Sequence, residues 1–83
     1  GLGGYLAAKS DAEHFESEAK RERLEIINQT QVEEQEIYDI FAQYGVSQSE
    51  SSSVVAALKR NPTVWKDFMM KFELGLEKPD PSR

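Results

Sequence analysis

Asn28-Gln29-Thr30-Gln31-Val32-Glu33-Glu34-Gln35-Glu36-Ile37-Tyr38-Asp39-Ile40-Phe41-Ala42-Gln43-Tyr44-Gly45 decides how this chain folds. Its polar start, Asn28-Gln29-Thr30, marks the end of one helix. Thr30-Gln31-Val32-Glu33 then has the pattern of a capping box, with Thr30 capping a new helix and Glu33 reaching back. Ile37, Ile40, Phe41 and Tyr44 fall at i, i+3, i+4 and i+7, which is one face of that helix, and Gly45 stops it. Asn28-Gln29-Thr30 also spells a glycosylation sequon, a signal that counts only in a secretory lumen.

Upstream, no proline and, after Gly4, no glycine interrupts the chain from Tyr5 to about Ile27. Tyr5, Ala8, Ala12, Phe15, Ala19 and Ile26 approximate an apolar stripe at steps of three and four, with Glu22 interrupting it. This predicts a long amphipathic first helix whose alanines permit close approach of another helix. Downstream, Ser47-Gln48-Ser49-Glu50 repeats the capping pattern for a third helix anchored by Val54, Val55 and Leu58. The serines at 51 to 53 are poor interior helix formers but are tolerated in an early turn. Asn61-Pro62 caps and starts a last helix, with Val64, Trp65, Phe68, Phe72 and in part Met69 facing inward and an end near Gly75. Lys78 to Arg83 carries two prolines in three residues and reads as an exit linker. The expected fold is all-α, a small bundle of three to four helices.

Eighty-three residues make one domain with a thin core. There is no cysteine to staple it, and cysteine-based zinc or iron–sulfur sites are excluded. A partner subunit, bound ions or an attached larger body would relieve that core. Fifteen acids against ten bases give a net charge of -5, which argues against nucleic acid as a partner. No run of about 18 apolar residues exists to form a complete transmembrane helix. The uncharged, glycine-rich opening Gly1 to Ala8 lacks the basic start of a signal peptide. It reads either as a frayed start or as the last turns of a membrane helix.

The acids are unevenly spread. Asp11, Glu13, Glu16, Glu18, Glu22, Glu25, Glu33, Glu34, Glu36 and Asp39 crowd one stretch. Glu18, Glu22 and Glu25 share a face of the first helix, and Glu33 and Glu36 form an i, i+3 pair on the second. Such groups raise one another's pKa values unless a cation joins them, and carboxylates from two helices can bridge divalent ions. Glu73 lies four residues beyond Met69 and three beyond Met70. Hard oxygen beside soft thioether points away from magnesium and calcium, toward iron(II), cobalt, nickel or zinc. The plainer readings are a solvated acidic face relieved by Lys20, Arg21 and Arg23, and methionines that fill the core. Of the two, Met69 is expected to be partly core and Met70 exposed. His14 is a lone imidazole on a charged helix, ordinary surface or at most a peripheral ligand. Nothing pairs a nucleophile with a base, no phosphate loop or calcium loop is present, and no enzyme activity is expected. Two readings stay open: a metal-binding module, or an acidic helical interaction module that docks a basic partner and anchors it with Trp65 or Phe68.

Gly1-Leu2-Gly3-Gly4-Tyr5-Leu6-Ala7-Ala8-Lys9-Ser10-Asp11-Ala12-Glu13-His14 closely resembles the cytosolic end of the second transmembrane helix of vacuolar iron transporters, the plant branch above all. The resemblance runs through the acidic helices to Met69-Met70-Lys71-Phe72-Glu73 and covers essentially the whole chain. It implies dimeric, proton-coupled exchangers that move cytosolic iron(II) into the vacuole, and a helical cytosolic domain that binds the metal. The family's ligands would fall on Glu22, Glu25, Glu33, Glu36, Met69, Met70 and Glu73. The ion would be Fe2+, with Zn2+, Co2+, Ni2+ or Mn2+ as substitutes. Residues 1–8 would be the stub of the preceding transmembrane helix, 9–77 the metal-binding domain and 78–83 the linker to the next. Its partners would be a second copy and the transmembrane body, at the cytosolic face of the vacuolar membrane.

Overall fold

A computed structural model describes the backbone of residues 2–78, with side chains from Asp11 onward. The expected exit linker beyond Lys78 and the side chains of Tyr5 and Ala8 lie outside the described residues. Four helices make an all-α bundle: α1 (Leu2–Asn28), α2 (Thr30–Ala42), α3 (Gln48–Lys59) and α4 (Pro62–Phe72). At about 1.5 Å per residue α1 is about 40 Å long, which explains the elongated outline of 50 × 27 × 20 Å. It packs on α4 and α2, α2 packs on α3, and α3 packs on α4.

A single residue separates α1 from α2. Gln29 leaves helical geometry at φ -131° and ψ 50°, yet its N–H still donates to the Glu25 carbonyl at 2.7 Å. The capping box expected at Thr30 does not form. Thr30 is already helical, and its hydroxyl donates to the Ile26 carbonyl at 2.6 Å, satisfying an acceptor that the end of α1 would otherwise leave open. Glu33 is thereby free to turn inward. α2 stops at Ala42 rather than Tyr44, because Gly45 takes φ +78°. Val46 N–H then donates to the Phe41 carbonyl and Gly45 N–H to that of Ala42, each at 3.0 Å, a Schellman closure. Tyr44, just past the helix, stays exposed.

The other two helix starts are as the sequence predicts. Ser47 and Glu50 form a reciprocal capping box at α3, and the Asn61 side chain accepts from Val64 N–H with Pro62 opening α4. The main core joins Ile26, Ile37, Ile40, Val55, Trp65 and Met69, with Tyr38, Phe41, Leu58 and Phe68 against it. A smaller cluster holds Phe15, Ala19 and Met70, with Leu76 beside it. Val54, Val64 and Phe72, expected inside, are about half exposed, and Ala12 is also exposed. Ser51 takes an inner position on α3 instead, its hydroxyl bonded to the Ser47 carbonyl at 3.0 Å. Met70, expected outside, is 1% exposed. The reason is that α4 is covered on two sides, by α3 and by α1, so its buried arc extends from Trp65 and Met69 to Met70.

Candidate metal centre

On α1 the buried positions are Phe15, Ala19, Glu22 and Ile26, at steps of four, three and four. Glu22 does not break the stripe; it belongs to it. On α2 the same geometry buries Glu33, Ile37 and Ile40. Glu36, one turn after Glu33, is half-buried, and Glu73 sits immediately after the last residue of α4, one turn beyond Met69. Three helices therefore aim an acid at one point, which the apolar spacing of each helix dictates. One oxygen from each of Glu22, Glu33, Glu36 and Glu73 lies within 4.8 Å of all the others. Glu22 and Glu33 form the floor, and Glu73, exposed as a residue, forms the mouth.

Among the described residues, no lysine or arginine makes an ion pair with Glu22, Glu33, Glu36 or Glu73. Arg21 turns outward on α1 and bridges Glu18 and Glu25, each at 3.4 Å. Buried Oε2 atoms of Glu22, Glu33 and Glu36 have no hydrogen-bond partner among the described residues. A buried polar atom left in that state costs about 1–3 kcal/mol. Burial pushes the Glu33 carboxyl up to about 10, helped by hydrogen bonds to Glu22 and Glu25 and by the Glu22 charge. The raised value favours the protonated acid, whose single O–H can donate to one neighbouring carboxylate. Burial also raises Glu22, though the bond from Glu33 opposes this, while the charges of Glu25 and Glu36 add to it. Glu73 is pushed up to about 8, first by desolvation of its carboxyl and then by its hydrogen bond with Glu36. Its backbone position is open while its oxygen is drawn in among the others, which reconciles that shift with the residue's exposure.

Such an arrangement can take a cation. Oxygens on opposite sides of a divalent ion, at about 2.0–2.6 Å from it, stand about 4–5 Å apart. The spacing here matches, and binding would displace the proton on Glu33. Of the seven residues expected from sequence, the structure brings Glu22, Glu33, Glu36 and Glu73 together. Glu25 is half-buried at the edge, hydrogen-bonded to Glu33 and paired with Arg21. Met69 and Met70 pack in the two apolar clusters. His14 is exposed on α1 and outside the group.

All 83 residues match the VIT family. The chain belongs to the VIT family. Over its whole length this VIT chain is 58% identical to vacuolar iron transporter 1 of Arabidopsis thaliana and 59% identical to vacuolar iron transporter 1 of Oryza sativa subsp. japonica, covering 33% of each. It is 32% identical over 85 residues to protein CCC1 of Saccharomyces cerevisiae, covering 26% of that protein. The VIT chain thus spans about a third of the plant relatives it matches. Members of this family are transporters, not enzymes, in keeping with a sequence that has no catalytic motif. No described helix of the VIT chain is long and apolar enough to cross a membrane.

Proposed function

We propose that this chain is the cytosolic divalent-metal-binding domain of a proton-coupled vacuolar iron(II) transporter, collecting the ion and delivering it to the membrane pathway. The observation that carries this reading is the convergence of four glutamates with three buried, unpartnered oxygens. Relatives named as vacuolar iron transporters, of which the chain spans a third, support the frame. In that frame residues 1–8 end one membrane helix, 9–77 form the cytosolic domain and 78–83 lead to the next.

Glu22, Glu33, Glu36 and Glu73 hold the ion, with Glu25 completing its shell as Arg21 releases it. Met69 and Met70, buried in the two apolar clusters, would supply the soft contacts that favour iron(II) over magnesium only on leaving that packing. Zn2+, Co2+, Ni2+ and Mn2+ are the expected substitutes. The ion takes the place of the proton on Glu33, so binding releases protons and weakens on acidification. A second copy faces this one, and exposed Leu24, Ile27 and Val32 near the α1–α2 junction offer the apolar surface for it. The rival reading, an acidic module gripping a basic protein, is less well served. Of its two proposed anchors, Trp65 is 2% exposed and Phe68 is half-buried against the core, and Glu22 and Glu33 are buried away from solvent.

Anaerobic calorimetry with iron(II) tests the proposal, on the native chain and on the combined Glu22→Ala, Glu25→Ala, Glu33→Ala, Glu36→Ala variant at matched helicity, with magnesium as control. Saturable iron binding that the variant loses is the expected result. Heat unchanged by the substitutions, or equal for magnesium, would return the acids to a purely structural role.

A further inference from the structure

The acidic centre uses one side of the α1–α4 pair; the other side is a cleft of about 560 Å³. Lys20 and Arg23 from α1, Lys66 and Lys71 from α4, and Lys78 from the following segment line it. These are half of the ten lysines and arginines in a chain of net charge -5. Phe15, Ala19, Met70 and Leu76 supply apolar lining. Three acids also border the cleft, and one of them, Asp67, is held by Lys66 at 2.7 Å. Among the described residues, Lys20, Arg23, Lys71 and Lys78 make no ion pair within 4.0 Å. Lys59, by contrast, pairs with Glu34 at 2.8 Å. Here three cations, Lys20 and Arg23 of α1 and Lys78 of the following segment, border one hollow without an ion-pair partner among the described residues, and Lys71 lies over the Phe72 ring at 5.5 Å.

We propose that this cleft binds a small soluble phosphate-bearing anion. Its volume lies in the range of small-molecule sites, which combine apolar walls with a few convergent polar groups. Lysine and arginine donors arranged around a hollow recognise phosphate oxygens through charge-assisted hydrogen bonds. The soluble source is chosen over a lipid headgroup on distance. Lys20 and Arg23 stand about 18–23 Å along α1 from residue 8 at about 1.5 Å per residue. That exceeds the roughly 8–10 Å over which a charged surface acts at ordinary salt. The choice of source rests on the boundary at Ala8 and on the 78–83 lead proposed above, at whose start Lys78 stands; the cleft itself rests on neither.

The test is titration of the metal-free 83-residue chain with inorganic pyrophosphate, followed by calorimetry and by backbone amide NMR in metal-stripped buffer. The same chain is offered phosphatidylcholine vesicles carrying phosphatidylinositol phosphate. Saturable pyrophosphate binding is expected, with amide shifts at residues 15–23 and 66–78. A Lys20→Gln, Lys71→Gln double variant should bind about tenfold more weakly or worse. Lys59→Gln, which removes a cation outside the cleft, should bind as the native chain does. Absence of saturation, equal weakening in Lys59→Gln, or binding to vesicles alone would each overturn the proposal. No divalent ion is present in these titrations, so their outcome is independent of the iron measurement.

Discussion

Glu33 places a titrating carboxyl at the centre of the fold, and its effect on stability has a definite sign. Its folded pKa, about 10, lies far above the ordinary glutamate range, as does that of Glu73 at about 8. The folded chain therefore holds protons that the unfolded chain gives up. Stability from this source is complete below the unfolded glutamate pKa and is lost as pH rises through about 8 and then about 10. Without metal, the melting temperature should fall steadily between pH 5 and pH 9, the reverse of ordinary acid denaturation. Glu33→Gln keeps the shape and removes the ionisation. It should flatten that slope and stabilise the metal-free chain at pH 9 by roughly 1–3 kcal/mol, while abolishing tight iron binding. Thermal melts across pH for both proteins check this; an unchanged slope in the variant would mean that the buried acid is not the titrating group. Glu50 acts the other way: bonding to the Ser47 backbone N–H holds it below its usual range, so its contribution fades only as the solution becomes acidic.

At the level of elements, the helix ends carry the clearest expectations. Gly45 sits at φ +78° with nothing within 4 Å of where a Cβ would stand. Gly45→Ala meets backbone strain alone, about 1–2 kcal/mol, and urea unfolding should register that as a lower midpoint with an unchanged slope. Ser47→Ala removes one side of the α3 capping box and should cost about 1 kcal/mol by the same measurement. Both ends were legible in the sequence because glycine and serine act locally, through their own backbone and the next turn. The start of α2 was not. Thr30 and Glu33 satisfy the capping pattern, yet Glu33 lies four residues before Ile37 on the buried side, and tertiary burial outweighed the local bond. Glu22 carried the same message on α1, since an acid on an apolar stripe is a group the fold places inside. Met70 was illegible for a different reason: whether α4 is covered on one side or two depends on how α1 returns across it, which no local pattern encodes.

Across the whole molecule, the centre brings together acids from α1, α2 and the end of α4. A divalent ion that binds only the folded chain should stabilise it by about 2.7 kcal/mol at a free concentration one hundred times its Kd. Melting temperature should therefore climb with iron(II) concentration, stay nearly flat with magnesium, and return to its starting value on chelation. Calorimetric scans at several metal concentrations read this directly, and a melting point indifferent to iron would detach the glutamates from any ion. Ile37→Ala, in the core shared by α1, α2, α3 and α4, should cost about 2–5 kcal/mol and lower the metal-free melt far more than the metal-loaded affinity.

One buried side chain gives the molecule an optical voice. Trp65 is its single indole, sealed in the core with its N–H unpaired among the described residues, and it shares that core with Ile37, next to Glu36, and Met69, one turn before Glu73. Buried at 2% exposure, the ring sits in apolar surroundings, so its emission belongs at the short-wavelength end of the tryptophan range. Light from this one ring will therefore report, without any attached dye, how firmly the helices close around their charge.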